Sequence, residues 1–275
     1  MQYSVGEDSN ERRHIMATED TLVSLVGVSK TYQTQEGPST VLKDVNFKIK
    51  RGTFTIIFGP SGSGKTTILN MILGLLSPSA GRVIVDGRDL YNMNQNERAK
   101  FRARNFGMVY QSNNWVSSLS VVENIAMPLY LSGHDRAYST EQALESLRRV
   151  DLEKYANYSP QVLSIGQQQR ISMARATVSV PMLLVADEPS GNLDSKNGDM
   201  IMRLTTSFKS QHDSTIILVT HNSDYLPLSD HRLYINDGVV TEDTGGYRAD
   251  IDQQFNKVAS MMKLSRSVKE VLNEK

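Results

Sequence analysis

Nine consecutive residues, Gly59-Pro60-Ser61-Gly62-Ser63-Gly64-Lys65-Thr66-Thr67, carry the spacing G-x-x-x-x-G-K-[ST], which suits phosphate for a physical reason. Glycines let successive backbone N–H groups turn toward one anion, and a helix opening behind them adds the partial positive charge of its N-terminus. Lys65 can reach the β- and γ-phosphates of a nucleotide, and the Thr66 hydroxyl is a hard oxygen ligand for Mg²⁺. A second cluster, Asp187-Glu188, follows the apolar run Met182-Leu183-Leu184-Val185-Ala186. Two carboxylates ending a buried strand are costly unless they have partners. A loop that only binds phosphate needs a carboxylate on the metal side and a group that orients water before it can hydrolyse. Asp187 fits the first role. Glu188, aimed at the γ-phosphate as general base, fits the second.

Positioning these groups requires a strand, a glycine loop and a helix. Thr53 to Phe58 is a β-branched and aromatic run entering the loop, and Ile68, Leu69, Met71, Ile72 and Leu75 follow at helical spacing. Upstream, Leu22–Val28 and the alternating stretch Val41–Lys50 read as strands joined by a loop over Gln33–Thr40. Downstream come a loop at Ser77–Gly81, a strand at Arg82–Val85, a turn at Asp86-Gly87 and a strand at Phe106–Tyr110. From Val121 to Asp151 the pattern is helical, with Leu144, Leu147 and Val150 on one face behind a Ser139-x-x-Gln142 capping box. Then a helix after Gly166, the strand Met182–Ala186, a helix from near Asp194, the strand Thr215–Val219 and a hairpin over 232–242 turning at Asp237-Gly238 follow in order. Alternating strands and helices imply an α/β fold with a parallel sheet. No internal repeat appears, so the chain holds one cassette.

Composition narrows the class. The chain has 275 residues, of which 39% are hydrophobic, ample for a buried core, and its 30 basic residues balance 30 acidic ones. No charge excess or basic tract points to nucleic acid. With no cysteine there are no disulfides or thiolate metal sites, which fits a reducing compartment. The apolar runs are far shorter than a membrane span, and Met1–Asp20 is polar without a signal-peptide pattern, so a soluble, cytoplasmic chain with a disordered leader over 1–20 is expected. Beyond Gly245-Gly246, apolar residues from Ile251 to Leu272 suggest a helical extension over 243–275.

Leu163-Ser164-Ile165-Gly166-Gln167, followed by Gln168-Gln169-Arg170, resembles the signature sequence of ABC ATPases, and it precedes the acidic strand as in that family. The resemblance runs from about Leu22 to Val240. It implies a P-loop NTPase (RecA-like) parallel-sheet core with an antiparallel β subdomain, an ATPase domain over 21–242, and a helical subdomain inserted at about 112–165. It also implies ATP and Mg²⁺ as ligands. Tyr32 then stands where the family stacks adenine, Gln111 where its metal- and water-sensing loop begins, and His221 where a switch histidine meets the γ-phosphate. Ser190–Asp194 stands where the family's dimer-contacting loop lies, and the resemblance implies that Ser164, Gly166, Gln167 and Asp194 join the nucleotide site. The resemblance thus implies a catalytic set of Glu188, Gln111 and His221 and a metal set of Thr66, Gln111 and Asp187. The family usually has glycine where Ile165 stands, and glycine next to phosphate allows close approach or positive φ.

In this family the signature of one subunit closes over the ATP of another, so the resemblance implies a head-to-tail homodimer. The segment Ala186-Asp187-Glu188-Pro189-Ser190-Gly191-Asn192-Leu193-Asp194, with Val122-Glu123-Asn124 and Met127-Pro128-Leu129, is similar to the branch of macrolide exporters, lipoprotein-releasing complexes and the FtsE division ATPase. That branch implies an integral membrane permease as partner, placing the chain at the cytoplasmic face of the cell membrane. It drives either export or mechanical transmission, or in the FtsE-like alternative a division-linked force without transport. Trp115, the single tryptophan, falls where the family docks the membrane subunit's coupling helix.

Overall fold

The computed structural model describes residues 20–243. Two sheets organise them. The first is four-stranded and antiparallel, ordered β2-β1-β4-β5, from β1 (Thr21–Thr34), β2 (Gly37–Lys50), β4 (Ala80–Val85) and β5 (Arg88–Asp89). The second is six-stranded, ordered β10-β9-β3-β8-β7-β6. In it β3 (Phe54–Phe58), β6 (Phe106–Val109), β7 (Leu183–Asp187), β8 (Thr215–Val219) and β9 (His231–Asn236) run parallel, and β10 (Val239–Asp243) is an antiparallel edge. Every residue of β3 and β8 is buried, as near-continuous β-branched and aromatic runs demand when helices cover both sheet faces.

Among the described residues, six α-helices cross over or flank this sheet: α1 (Lys65–Ile72), α2 (Gln95–Asn105), α3 (Val121–Leu131), α4 (Arg136–Arg149), α5 (Ile165–Thr177) and α6 (Ser195–His212). One core fills the space between the two sheets and α1, through Leu22, Phe47, Ile57, Leu69 and Val185. A second lies under α5 and α6, around Phe54, Leu184 and Met202. A third belongs to α3, α4 and the start of α5, around Val121, Ile125, Leu147 and Ile171.

Several local expectations change. The expected loop over Gln33–Thr40 is mostly sheet: β1 continues to Thr34, Tyr32 pairs with Ser39, and the chain reverses tightly at Gly37 with φ 112. Thr31 and Thr40 share a 3.0 Å hydroxyl contact across that ladder, so β-favouring residues override the polar composition. Leu75 lies beyond α1, past the left-handed Gly74, and is exposed. The capping box expected at Ser139 is not the start of α4. Asp135 caps that helix by accepting from Tyr138 N at 2.9 Å, and Ser139 donates back to Asp135 O at 2.7 Å from inside the first turn. A carboxylate with free N–H groups ahead of it outcompetes a serine already committed to the helix. Helix α2 was not legible from its few apolar residues, although Asn94 and Glu97 form a complete capping box. The expected leader and C-terminal helix fall, almost entirely, outside the described residues.

Candidate nucleotide site

The parallel sheet delivers its chemistry at one edge. β3 runs into Gly59, β6 into Tyr110 and Gln111, β7 ends in Asp187, and β8 runs into Thr220 and His221. Open α/β sheets bind ligands at this carboxyl edge, where the strand order reverses.

The loop from Gly59 to Gly64 is braced from both sides. A β-carbon on Gly59 would lie 2.0 Å from the Ile235 carbonyl of β9, and one on Gly64 would meet the Leu42 side chain at 2.7 Å. Gly59, Gly62 and Gly64 have φ of 154, 78 and 107, conformations that side chains disfavour. Ser63 Oγ is buried and unpartnered among the described residues, the kind of donor a phosphate oxygen would satisfy. Pro60, Ser61 and Thr67 complete the loop and the opening of α1. Lys65 folds over the loop, donating Nζ to Gly59 O at 2.9 Å and Pro60 O at 2.7 Å. Burial lowers its pKa from the ordinary lysine range, and the charges of Glu188 and Asp187 oppose that shift.

Asp187 accepts a hydrogen bond from the Thr66 hydroxyl. Burial, then the neighbouring Glu188, raise the Asp187 pKa, while Lys65 and Thr66 pull it back. A hydroxyl and a carboxylate bonded to each other present the hard oxygen donors that Mg²⁺ takes beside phosphate. Glu188 has φ 48, a left-handed backbone that a glutamate adopts only under constraint. The constraint is visible: its N–H donates to Val219 O at 2.9 Å, and its carbonyl accepts from Gly191 N at 3.0 Å. His221 Nδ1 lies 2.7 Å from Glu188 Oε2, so each side chain orients the other. Lys65, Thr66, Asp187, Glu188 and His221 thus lie together at the carboxyl edge of the sheet.

Other expected residues lie apart. Gln111 is exposed just beyond β6 and makes no hydrogen bond to the Thr66–Asp187 pair among the described residues. Tyr32 is 38% exposed on β1, with Lys30 Nζ 5.0 Å from its ring centroid. Ser164 caps α5 in a box with Gln167: Gln167 N donates to Ser164 Oγ at 3.3 Å, and Ser164 N to Gln167 Oε1 at 3.0 Å. Ile165 is the first residue of α5, without positive φ, and its side chain is 60% exposed. The backbone here does not take a left-handed conformation, and the isoleucine is largely exposed to solvent.

Sequence reasoning missed the contacts between distant segments. A β-carbon on Gly166 would meet the Asn197 Oδ1 at 2.7 Å. Asn197 is itself clamped by Asp194, which caps α6 through Asn197 N at 2.8 Å and holds Asn197 Nδ2 at 2.8 Å. Those bonds lower the Asp194 pKa. Arg175, unnoticed in sequence, donates to Asn113 O at 2.6 Å and Asn114 O at 3.3 Å and stacks 4.5 Å from the Trp115 ring centroid. Trp115 is therefore half-buried against the α3–α5 core as well as near the surface. No single motif could signal these; each needs two segments brought together.

Comparison with known proteins gives one answer. A family model described as "ABC transporter" matches residues 42–191. The ABC transporter ATP-binding protein MJ0796 of Methanocaldococcus jannaschii is 38% identical over 226 residues, covering 80% of this chain and 95% of that protein. The lipoprotein-releasing system ATP-binding protein LolD of Shewanella sp. strain MR-4 is 36% identical over 222 residues, covering 81% and 96%. A dimeric structure of the MJ0796 cassette superposes with a TM-score of 0.76 at 37% identity, covering 81% of this chain and 98% of the other; a dimeric post-hydrolysis structure of it, bound to ADP and phosphate, matches equally well. Among the described residues no helix is long and apolar enough to cross a membrane. With the phosphate loop, the acidic strand end and the signature all in place, the chain belongs to the ABC transporter family as an ATPase of that family.

Proposed function

We propose that this chain is the ATP-hydrolysing subunit of a membrane transporter complex of the export or mechanotransmission type, working as a head-to-tail dimer at the cytoplasmic face. The observation that carries the dimer is the split of the site. Lys65, Thr66, Asp187, Glu188 and His221 converge at the sheet edge, whereas Ser164 and Ile165 are exposed at the start of α5 and bonded within their own turn. An exposed, capped helix start that leaves its first N–H groups available suits an anion brought by a second copy. The kinship with MJ0796, solved as a dimer, and with LolD supports this.

Within one protomer, Glu188 accepts the proton of the attacking water and His221 fixes its carboxylate. Lys65 and the loop N–H groups bind the phosphates, and Tyr32 offers a ring to adenine. Mg²⁺, when bound, would be held by Thr66, Asp187 and Gln111 and would supply positive charge against the triphosphate.

Glu188→Gln in the full-length chain tests the reading by size-exclusion chromatography with light scattering in Mg-ATP. Turnover falls by about 10²-fold or more, and the protein elutes as a dimer with ATP and a monomer without it. A variant that remains monomeric in saturating ATP overturns the sandwich. Purification from membranes with the tagged chain identifies the permease, and that protein's own architecture separates transport from division-linked force.

A further inference from the structure

The loop that carries Gln111 and the turn that presents Ser164 lie at different places in the fold, and one side chain connects them. Gln168, in the first turns of α5, uses both ends of its amide. Its Oε1 accepts from Trp115 Nε1 at 2.9 Å, and its Nε2 donates to Leu163 O, also at 2.9 Å. Leu163 immediately precedes Ser164, and Trp115 lies four residues beyond Gln111. Seven residues along the same helix face, Arg175 holds the Asn113 and Asn114 carbonyls and the Trp115 ring. The loop is therefore fastened to α5 at two points, and Asn114 takes the left-handed φ of 45 that this path needs.

We propose that Gln168 is a positioning residue for ATP hydrolysis: a two-ended bridge that makes the Gln111 loop and the Ser164 turn move as one. The proposal rests on the roles given above to Gln111 and Ser164. Helix α5 does not need this amide for its own integrity, because the Gln168 N–H already bonds Ser164 O at 2.9 Å. A leucine would fill similar space while making neither bond. Arg175 and Tyr110 also line a groove of about 540 Å³ between α2, α3 and β6. A body seated there touches the loop anchor directly, and the bridge passes that contact to the signature turn.

Trp115 is the only tryptophan among 275 residues, so intrinsic emission reports on this bond. The test compares the full-length chain with Gln168→Leu, Trp115→Phe and the double variant in Mg-ATP. Gln168→Leu shifts the Trp115 emission before nucleotide is added. Each single variant lowers kcat by about fivefold, the scale of a modest coupling. KM for ATP stays within about twofold, since the phosphate loop is untouched. The double variant is no slower than either single one, because the bridge is already cut. Wild-type kcat in both single variants, multiplying losses in the double, or a loss confined to KM overturns the bridge. Thermal unfolding guards against a folding artefact; should Gln168→Leu unfold, Trp115→Phe, which keeps an aromatic ring beside Arg175, carries the test with Gln168→Glu. That glutamate keeps the acceptor and loses the donor, so native emission with reduced kcat is expected, and native emission with wild-type kcat overturns the two-ended role. A parent chain that does not hydrolyse ATP, or whose Glu188→Gln form stays monomeric, overturns the functional reading instead. A normal parent with unaffected variants overturns the bridge alone.

Discussion

At the scale of single residues, Asp187 shows what the site costs. It is placed beside Glu188 at the end of a buried strand, and burial raises its pKa above the ordinary aspartate range. Between the unfolded and the raised folded value, the folded chain keeps a proton that the unfolded chain has released. Stability therefore falls as pH rises through that window. Asp187→Asn removes this segment of the pH–stability curve. In the nucleotide-free protein near neutral pH it raises Tm, while ATP turnover is lost. Differential scanning calorimetry across pH checks it, and a Tm unchanged or lowered at neutral pH contradicts the account. Asp187 and Glu188 were legible because two charges after an apolar run need a reason. The phosphate loop was legible because its spacing is fixed by backbone geometry. Asn197, Gln168 and Arg175 were not, because their roles lie in what they touch across the fold, and side chains of those types are ordinary on any helix surface.

At the scale of elements, the glycine-free end of α5 carries strain that no nearby function requires. After Thr177 the chain turns back toward β7, and Val180 takes φ 48 with its side chain half exposed. A β-branched residue in the left-handed region is unfavourable by about 1–2 kcal/mol. Val180→Asn relieves much of it, because asparagine tolerates that conformation at a helix end. Chemical denaturation should show a gain of about 1 kcal/mol with unchanged kcat and an unchanged m-value; a loss of stability would mean that Val180 packs more than its exposure suggests. The elements legible in sequence were those with strong periodicity or flanking breakers, such as β3, β8 and the hairpin at Asp237-Gly238. Helix α2 escaped because Arg98, Lys100, Arg102 and Arg104 leave it almost no apolar stripe, its one buried side chain being Phe101. The single helical stretch expected from Val121 to Asp151 divides into α3 and α4 at Gly133, φ 94, where Asp135 starts a new helix. Ser139, the residue singled out as its cap, lost that role to a carboxylate four residues earlier.

At the scale of the whole molecule, the nucleotide edge and the groove of about 540 Å³ are different surfaces joined by β6 and α5. The groove is walled by Leu73, Leu75, Met127 and Leu131, with Arg102 and Arg175 among its polar margins. Leu75 and Leu131 are 50% and 71% exposed, a large apolar area to leave on two residues of one groove. Under the proposed function, an amphipathic helix with an acidic edge on the membrane partner would fit these walls and margins. Leu131→Glu places a charge among them without entering any of the described cores. The variant should keep its fold, its ATP-dependent dimer in the Glu188→Gln background and its native Trp115 emission. It should lose co-purification with the proposed membrane partner by about tenfold or more, as a carboxylate set against an acidic-edged helix requires. Equal recovery of the membrane subunit with wild-type and Leu131→Glu chains would move the docking surface elsewhere, and simultaneous loss of the dimer would show that the groove and the nucleotide edge are not separate. Because Arg175 belongs to the groove wall and to the Trp115 loop at once, a body seated in the groove presses on the same helix that presents Ser164. In the proposed complex, force and hydrolysis would then be coupled through α5, with no need for the nucleotide to touch the membrane partner.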